Sequence, residues 1–443
     1  MNREDKNPSW DSVRKMLTDN EAHPADLRRF DSVLSRRKFF GMAGKGGALA
    51  LLAGLGAGTE ATLTGLFGRG LIPMAWADEP NAPTQIPGKP GMSVHNSHPI
   101  GGEFAPHLLD DDVTPSSRHF VRNNGAVPQR AIDQNPAGWK LTIDGEVHNP
   151  LALSLEDLMR MPSTTLALLI ECGGNGRALF EPSVRGNPWR RGAVACSQWT
   201  GVRLRDVLQR AGLKGSAKYT AHYGEDDPIG QAPPFSRGIP IDKAMEEHTL
   251  VAYKMNGRSL TALNGYPVRL VVPGWLGSCS QKWLTRIWIR DKVHDSKKMT
   301  GYSYRVPAHP VVPGKRPPKS EMVIATAWII KSLITRPAAD SVLKLGSKAR
   351  VAGHAWAGED NVAKVAVSTN YGIHWTPARL TPPPNRYAWY RWESDVSFKR
   401  PGYYEIWARA FDDKGNAQPF RQPWNPKGYL GNVIHRLPVR VKA

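Results

Sequence analysis

The chain has 443 residues, 40% of them hydrophobic and 22% charged, with a formal net charge of +20. These values exclude a disordered polymer, and three cysteines in such a length exclude a disulfide-stapled scaffold. There is room for two or three domains of about 150 residues, and 15 Trp with 37 Pro point to β-rich structure with aromatic anchors and long ordered loops.

The N-terminus reads as an export leader. Ser35-Arg36-Arg37-Lys38-Phe39-Phe40 is a twin-arginine signature. An apolar stretch, Gly41 to Gly58, follows, and Ala75-Trp76-Ala77 before Asp78 forms a small-x-small cleavage site. Lys45 inside the apolar stretch and Glu60 at its end leave fewer than ~20 clean apolar residues, so a membrane span is not expected. Residues 1–77 are therefore placed outside the fold, as a twin-arginine signal peptide. That route exports folded proteins, so the mature chain is expected in the periplasm, carrying a cofactor taken up beforehand.

Residues 78–118, rich in Pro, Gly, His and Asp, are expected to form an extended N-terminal arm, with a partly disordered linker as the alternative. Trp139 to Val147 alternates like a strand, and Ser154-Leu155-Glu156-Asp157 opens a short capped helix. An apolar run, Leu166 to Ile170, predicts a buried strand ending at Cys172. Leu204 to Ala211 is helical, with Gly212 as C-cap. Val268 to Gly274 and Trp283 to Arg290 are strands. Pro, Lys and Gly dominate 307–320, the expected linker. Beyond it Val351 to Trp356, Val362 to Ser368, Tyr387 to Trp392 and Tyr403 to Phe411 are short strands separated by turns, the pattern of an immunoglobulin-like sandwich over 321–443. The predicted class is α+β: a mixed α/β domain over 119–306 followed by an all-β domain.

Chemistry concentrates at Glu171-Cys172-Gly173-Gly174-Asn175-Gly176-Arg177. The glycines let the backbone turn and approach a large ligand closely. A thiolate there can bind a soft transition metal, and Arg177 puts a fixed positive charge nearby. The alternative is a buried structural cysteine before a Gly-rich turn. No C-x-x-C-H is present, so no covalent haem is expected in this chain, and no Cys/His cluster has zinc spacing. Eleven Lys/Arg and eight Asp/Glu lie in residues 1–77, leaving 48 against 31 and a net +17. The cations are scattered and form no basic run, so attraction of anionic substrates and an acidic protein partner is expected, not nucleic-acid binding.

Five segments in order resemble the sulfite oxidase family of molybdenum enzymes. They are Phe120-Val121-Arg122-Asn123, the Cys172 loop, Trp199-Thr200-Gly201-Val202-Arg203-Leu204, Gly265-Tyr266-Pro267-Val268-Arg269 with Lys282-Trp283-Leu284, and Gly353-His354-Ala355-Trp356. The resemblance implies a molybdopterin domain, an immunoglobulin-like dimerisation domain, and one molybdenum-molybdopterin with Cys172 on the metal. It implies anion binding by Arg122 and Arg177, and pterin contacts by Asn123, Asn124, Arg269, Ser280 and Lys282. Asn124 and Ser280 stand where many members have histidines. The active-site tyrosine would fall near Asp295; Tyr302 is the candidate instead, with Tyr304 as a second possibility. The substrate arginine of the second domain would fall near Asn361 and be missing. The loop sequence and the exported location are more similar to the periplasmic sulfite dehydrogenase and SoxC-like sulfane dehydrogenase branches, which pair with a separate c-type cytochrome. A homodimer or heterotetramer oxidising sulfite or carrier-bound sulfur is the expected function. A reductase of S-oxides or oxyanions, or a non-catalytic carrier subunit, are the alternatives.

Overall fold

The computed structural model describes residues 9–18 and 85–443. The twin-arginine signature and the cleavage site lie outside the described residues.

Two five-stranded sheets build the first half. In one, the order is Leu151–Leu153, Leu141–Gly145, Leu284–Arg290, Tyr219–Gly224, Ser236–Pro240. In the other, Arg258–Ser259, Leu250–Met255, Val194–Arg203 and Ser163–Glu171 follow one another, and Arg269–Val271 also pairs with Leu250–Met255. Ser163–Glu171 alternates exposed and half-buried residues at its start and is buried on both faces from Ala167 onward. Its apolar end therefore has to lie inside, which delivers Cys172 to the interior. Val194–Arg203 runs directly into the helix Leu204–Ala211, whose buried Leu204, Val207, Leu208 and Ala211 form one stripe. Gly212, at φ +69°, ends it. Ser154 and Asp157 make the capping box of helix Leu155–Arg160.

The second half is a sandwich. Lys331–Arg336, Ala349–Trp356, Tyr390–Val396 and Arg379–Thr381 form one sheet; Val342–Lys344, His435–Lys442, Gly402–Asp412, Val362–Ser368 and Thr376–Pro377 form the other. Val351, Ala355, Val365, Trp392, Ile406, Leu437 and Val439 fill the space between them. All three cysteines are free, and none lies in this half, so packing alone holds it. The α+β class with an all-β second domain is the one the strand pattern predicted.

Several expectations need correction. The strand expected at Tyr387 to Trp392 begins at Tyr390, because Tyr387 takes φ +69°, a left-handed conformation no strand accommodates. The arm over 85–118 packs on the domains and is not the partly disordered linker given as its alternative. Ser93–Ser97, Ile100–Glu103 and Val121–Arg122 form a small sheet, and Glu103 accepts bonds from the Arg190 and Gly192 amides at 2.7 and 2.8 Å. Ile86, Phe104 and Leu109 share a core with Leu169 of the first half and Leu333 and Trp389 of the second. Trp389 stacks on His354 with ring centroids 3.9 Å apart and donates to the Asp112 carbonyl, so it belongs to the interior. Placing all of 1–77 outside the fold fails for Trp10–Thr18. That segment is a helix whose Val13 and Leu17 are buried in a cluster with Leu276, Trp328 and Tyr429.

Candidate active site

Cys172 sits just beyond strand Ser163–Glu171, its amide bonded to the Ala193 carbonyl at 2.9 Å. The chain then reverses: the Asn175 amide donates to the Cys172 carbonyl at 2.7 Å. Gly176 takes φ +94°, and a Cβ there would lie 3.2 Å from Gly431 Cα, so glycine is required on both counts.

Behind the loop lies a fully enclosed charged network. Glu171 Oε1 accepts from Lys331 Nζ at 2.6 Å and from Asn175 Nδ2 at 2.8 Å, and Oε2 accepts from Trp356 Nε1 at 2.7 Å. Lys331 also donates to the Asn175 carbonyl at 3.3 Å. Burial pushes the Glu171 carboxyl up, opposed by the Lys331 ammonium and by the hydrogen bonds. Lys331 opens the first strand of the sandwich, so this pair joins the two halves.

In front of Cys172 is a cavity of about 670 Å³, part of it open to solvent. Cys172, Arg122, Asn124, Arg269, Ser280 and Lys282 all line it. Asn123 accepts a hydrogen bond from the Lys282 ammonium at its edge. Arg269 donates to the Asn264 and Ser280 carbonyls at 3.1 and 3.0 Å, and Lys282 to the Leu263 carbonyl at 2.9 Å. Burial lowers Arg269 to about 9 and Lys282 well below its ordinary range, the latter helped by Arg269. Burial likewise raises the Asp226 carboxyl in the same wall to about 6.

Arg177 is not in the lining. Its Nε donates to the Lys427 carbonyl and its Nη1 to the Asn187 carbonyl, both at 3.0 Å, and its guanidinium lies 5.4 Å from the Tyr429 ring centroid. It still acts on Cys172 through space: burial raises the thiol, and the charges of Arg122 and Arg177 oppose that shift. Tyr302 is also elsewhere. Its hydroxyl donates to the Pro317 carbonyl at 3.3 Å and its ring carries Arg316. Tyr304 lines the cavity in its place, at φ +56°, with its ring 5.4 Å from Tyr429 and 4.7 Å from the Arg237 guanidinium. The left-handed conformation at Tyr304 sends two tyrosines only two residues apart to different places. Asn361 bonds Asp413 at 2.8 Å and does not line the cavity. The second half brings Lys427 beside Arg177, outside the lining, on a loop tied to the cysteine turn through the Leu430 amide and Gly173 carbonyl at 3.1 Å. Burial lowers Lys427, and the neighbouring charges of Arg316, Arg177 and Arg185 lower it further. No sequence signal marked Lys427, because it meets Arg177 from 250 residues away.

The site fits molybdopterin. The buried Arg122 Nη1, Asn123 Nδ2, Ser278 Oγ and Gln281 Oε1 have no partner in the protein, so a polar ligand is needed to satisfy them. Arg269 and Lys282 suit a phosphate. Cys172 offers a soft donor, and among the described residues no cluster of His, Cys, Asp and Glu could hold a metal by itself.

This fold and cavity define a molybdopterin-dependent oxidoreductase. The model described as "Oxidoreductase molybdopterin binding domain" matches residues 124–298, and "Mo-co oxidoreductase dimerisation domain" matches 323–442. The chain belongs to the sulfite oxidase family. It is 32% identical over 392 residues to mitochondrial sulfite oxidase of Mus musculus, covering 84% of this chain and 69% of that one. It is 30% identical to the NADH nitrate reductase of Ulva prolifera, covering 80% of this chain but only 43% of the longer protein. The sulfane dehydrogenase SoxCD of Paracoccus pantotrophus superposes with TM-score 0.65 at 26% identity, over 88% of this chain and 96% of that one.

Proposed function

We propose that the protein oxidises sulfite, or a sulfane sulfur held on a carrier protein, to sulfate. The observation that carries this reading is the pair of fixed cations acting on one thiol. Arg122 lines the cavity, and its charge and that of Arg177 both bear on Cys172. Like charges held this close favour a bound anion.

Cys172 would hold molybdenum, which when bound supplies two-electron oxygen-atom transfer. Asn123, Asn124, Arg269, Ser280 and Lys282 would hold the pterin and its phosphate. Arg122, with Nη1 unpartnered and Nη2 on Asn124 Oδ1 at 3.0 Å, is free to take one oxyanion atom of the substrate. Arg177 and Lys427 add field from the second row. Tyr304, its hydroxyl pushed up by burial, stays a neutral donor beside the cysteine. Overall, sulfite and water give sulfate, two protons and two electrons. The electrons would leave singly to a separate c-type cytochrome, with the positive surface aiding its docking. Export through the twin-arginine route to the periplasm completes the reading, supported by the signature at Ser35 to Phe40.

The test is sulfite-dependent ferricyanide reduction by protein already shown to contain molybdenum. Saturable turnover would establish a sulfite dehydrogenase. No turnover from metal-loaded protein would reject free sulfite as substrate, and a reduced dye supporting nitrate or S-oxide reduction would replace this reading with a reductase.

A further inference from the structure

Helix Trp10–Thr18 lies far upstream of the domains, yet it is seated on them. Val13 and Leu17, one turn apart, are 0% and 2% exposed. They join Leu276, Val306, Ala325, Trp328, Ile329, Tyr429 and Leu430 in one apolar cluster, with Trp10 and Met16 packed beside it. Arg14 forms an ion pair with Asp360, and both side chains are almost completely buried. Thr18 Oγ1 donates to Asn416 Oδ1 at 3.3 Å.

The seat adjoins the cofactor cavity. A Cβ on Gly173 would come within 2.9 Å of Leu276 Cδ2 and 3.5 Å of Tyr429 Cδ1, so both side chains press on the residue after Cys172. The Leu430 amide donates to the Gly173 carbonyl at 3.1 Å. Tyr429 stacks on Tyr304, and Tyr304 and Gly277 both line the cavity. The groove is thus built on the same 425–430 loop and Gly277–Cys279 turn that pack on the cysteine loop. A nine-residue helix is not stable alone in water, so its folding depends on that seat.

We propose that, in the precursor that still carries its leader, Trp10–Thr18 is a cis ligand for this groove, and that its docking is coupled to cofactor occupancy. The proposal rests on the molybdopterin reading of the cavity. A cofactor that orders the cysteine loop tightens the seat. By reciprocity the docked helix slows cofactor loss.

Two measurements on the full chain test this. Hydrogen exchange of the residue 14–18 amides should be at least about five-fold slower in cofactor-loaded than in cofactor-free protein. Pterin release, followed by its fluorescence, should be at least about five-fold faster in V13D/L17D than in the wild type, while the conservative L17M behaves as wild type. Equal exchange with and without cofactor, or equal release from wild type and V13D/L17D, would overturn the coupling. A full chain that never carries pterin would overturn the reading of the cavity itself, a failure separable from the first.

Discussion

Cys172 has opposite surroundings on its two sides. The Glu171–Lys331 pair is sealed behind it, and Arg122 faces it across the cavity. Cys172→Ser should therefore leave folding intact, within about 1 kcal/mol in a urea titration, because the side chain is small and half-buried. Molybdenum-dependent turnover should be abolished; activity retained at the wild-type level would refute the metal-ligand role. Asp226 gives a second expectation. Its carboxyl titrates near 6 in the folded chain against an ordinary value near 3.8. The folded state then binds more protons than the unfolded one between these values, so stability falls as pH rises from about 4 to 6. For a partly exposed group the loss is on the order of 1–2 kcal/mol. Thermal melts of cofactor-free protein at pH 4 and pH 6.5 should show it, and Asp226→Asn should flatten that part of the profile. Much of this site was legible in the sequence. Cys172, Arg122, Asn124, Arg269, Ser280 and Lys282 carry local motifs and meet in one cavity. Tyr304 was not separable from Tyr302, because one backbone conformation decides between them. Lys427 was invisible, because only the folded chain brings it near.

The elements that read most clearly are those whose signals are local. Leu204–Ala211 is bounded by its own apolar stripe and Gly212, and Leu155–Arg160 by its capping box. Less legible was how elements meet. Nothing in Lys331 marks it as the counter-charge of Glu171, since a lysine opening a strand normally points to water. Lys331→Met should destabilise by about 3–5 kcal/mol, because it strands a buried carboxylate. Adding Glu171→Gln should recover part of that, since the amide keeps the shape and one acceptor oxygen without the charge, while its NH2 can no longer accept from one of the Asn175 and Trp356 donors. Urea midpoints of the two variants decide this: a double variant no more stable than the single one would mean the pair contributes through shape, not charge.

At the scale of the whole molecule the two halves are stitched at several depths. Asn385, in a sandwich loop, exchanges hydrogen bonds with the Ala167 backbone at 3.0 and 2.8 Å, and the 85–118 arm shares a core with both halves. The sequence marked the change of style after 306 but not this stitching. The strands on either side of the Pro-rich stretch even pair with each other, Arg305 opposite Ile324. One cooperative thermal transition is expected, and two resolved transitions in calorimetry would refute it. The Glu171–Lys331 pair then bears on inheritance as well as on stability. Its charges are contributed by different family segments, so neither segment is a free-standing module that can be transplanted alone. A gene fragment ending before residue 331 would encode a catalytic half with an unmatched charge beneath its metal site, and a chimera is viable only if donor and acceptor agree at both positions.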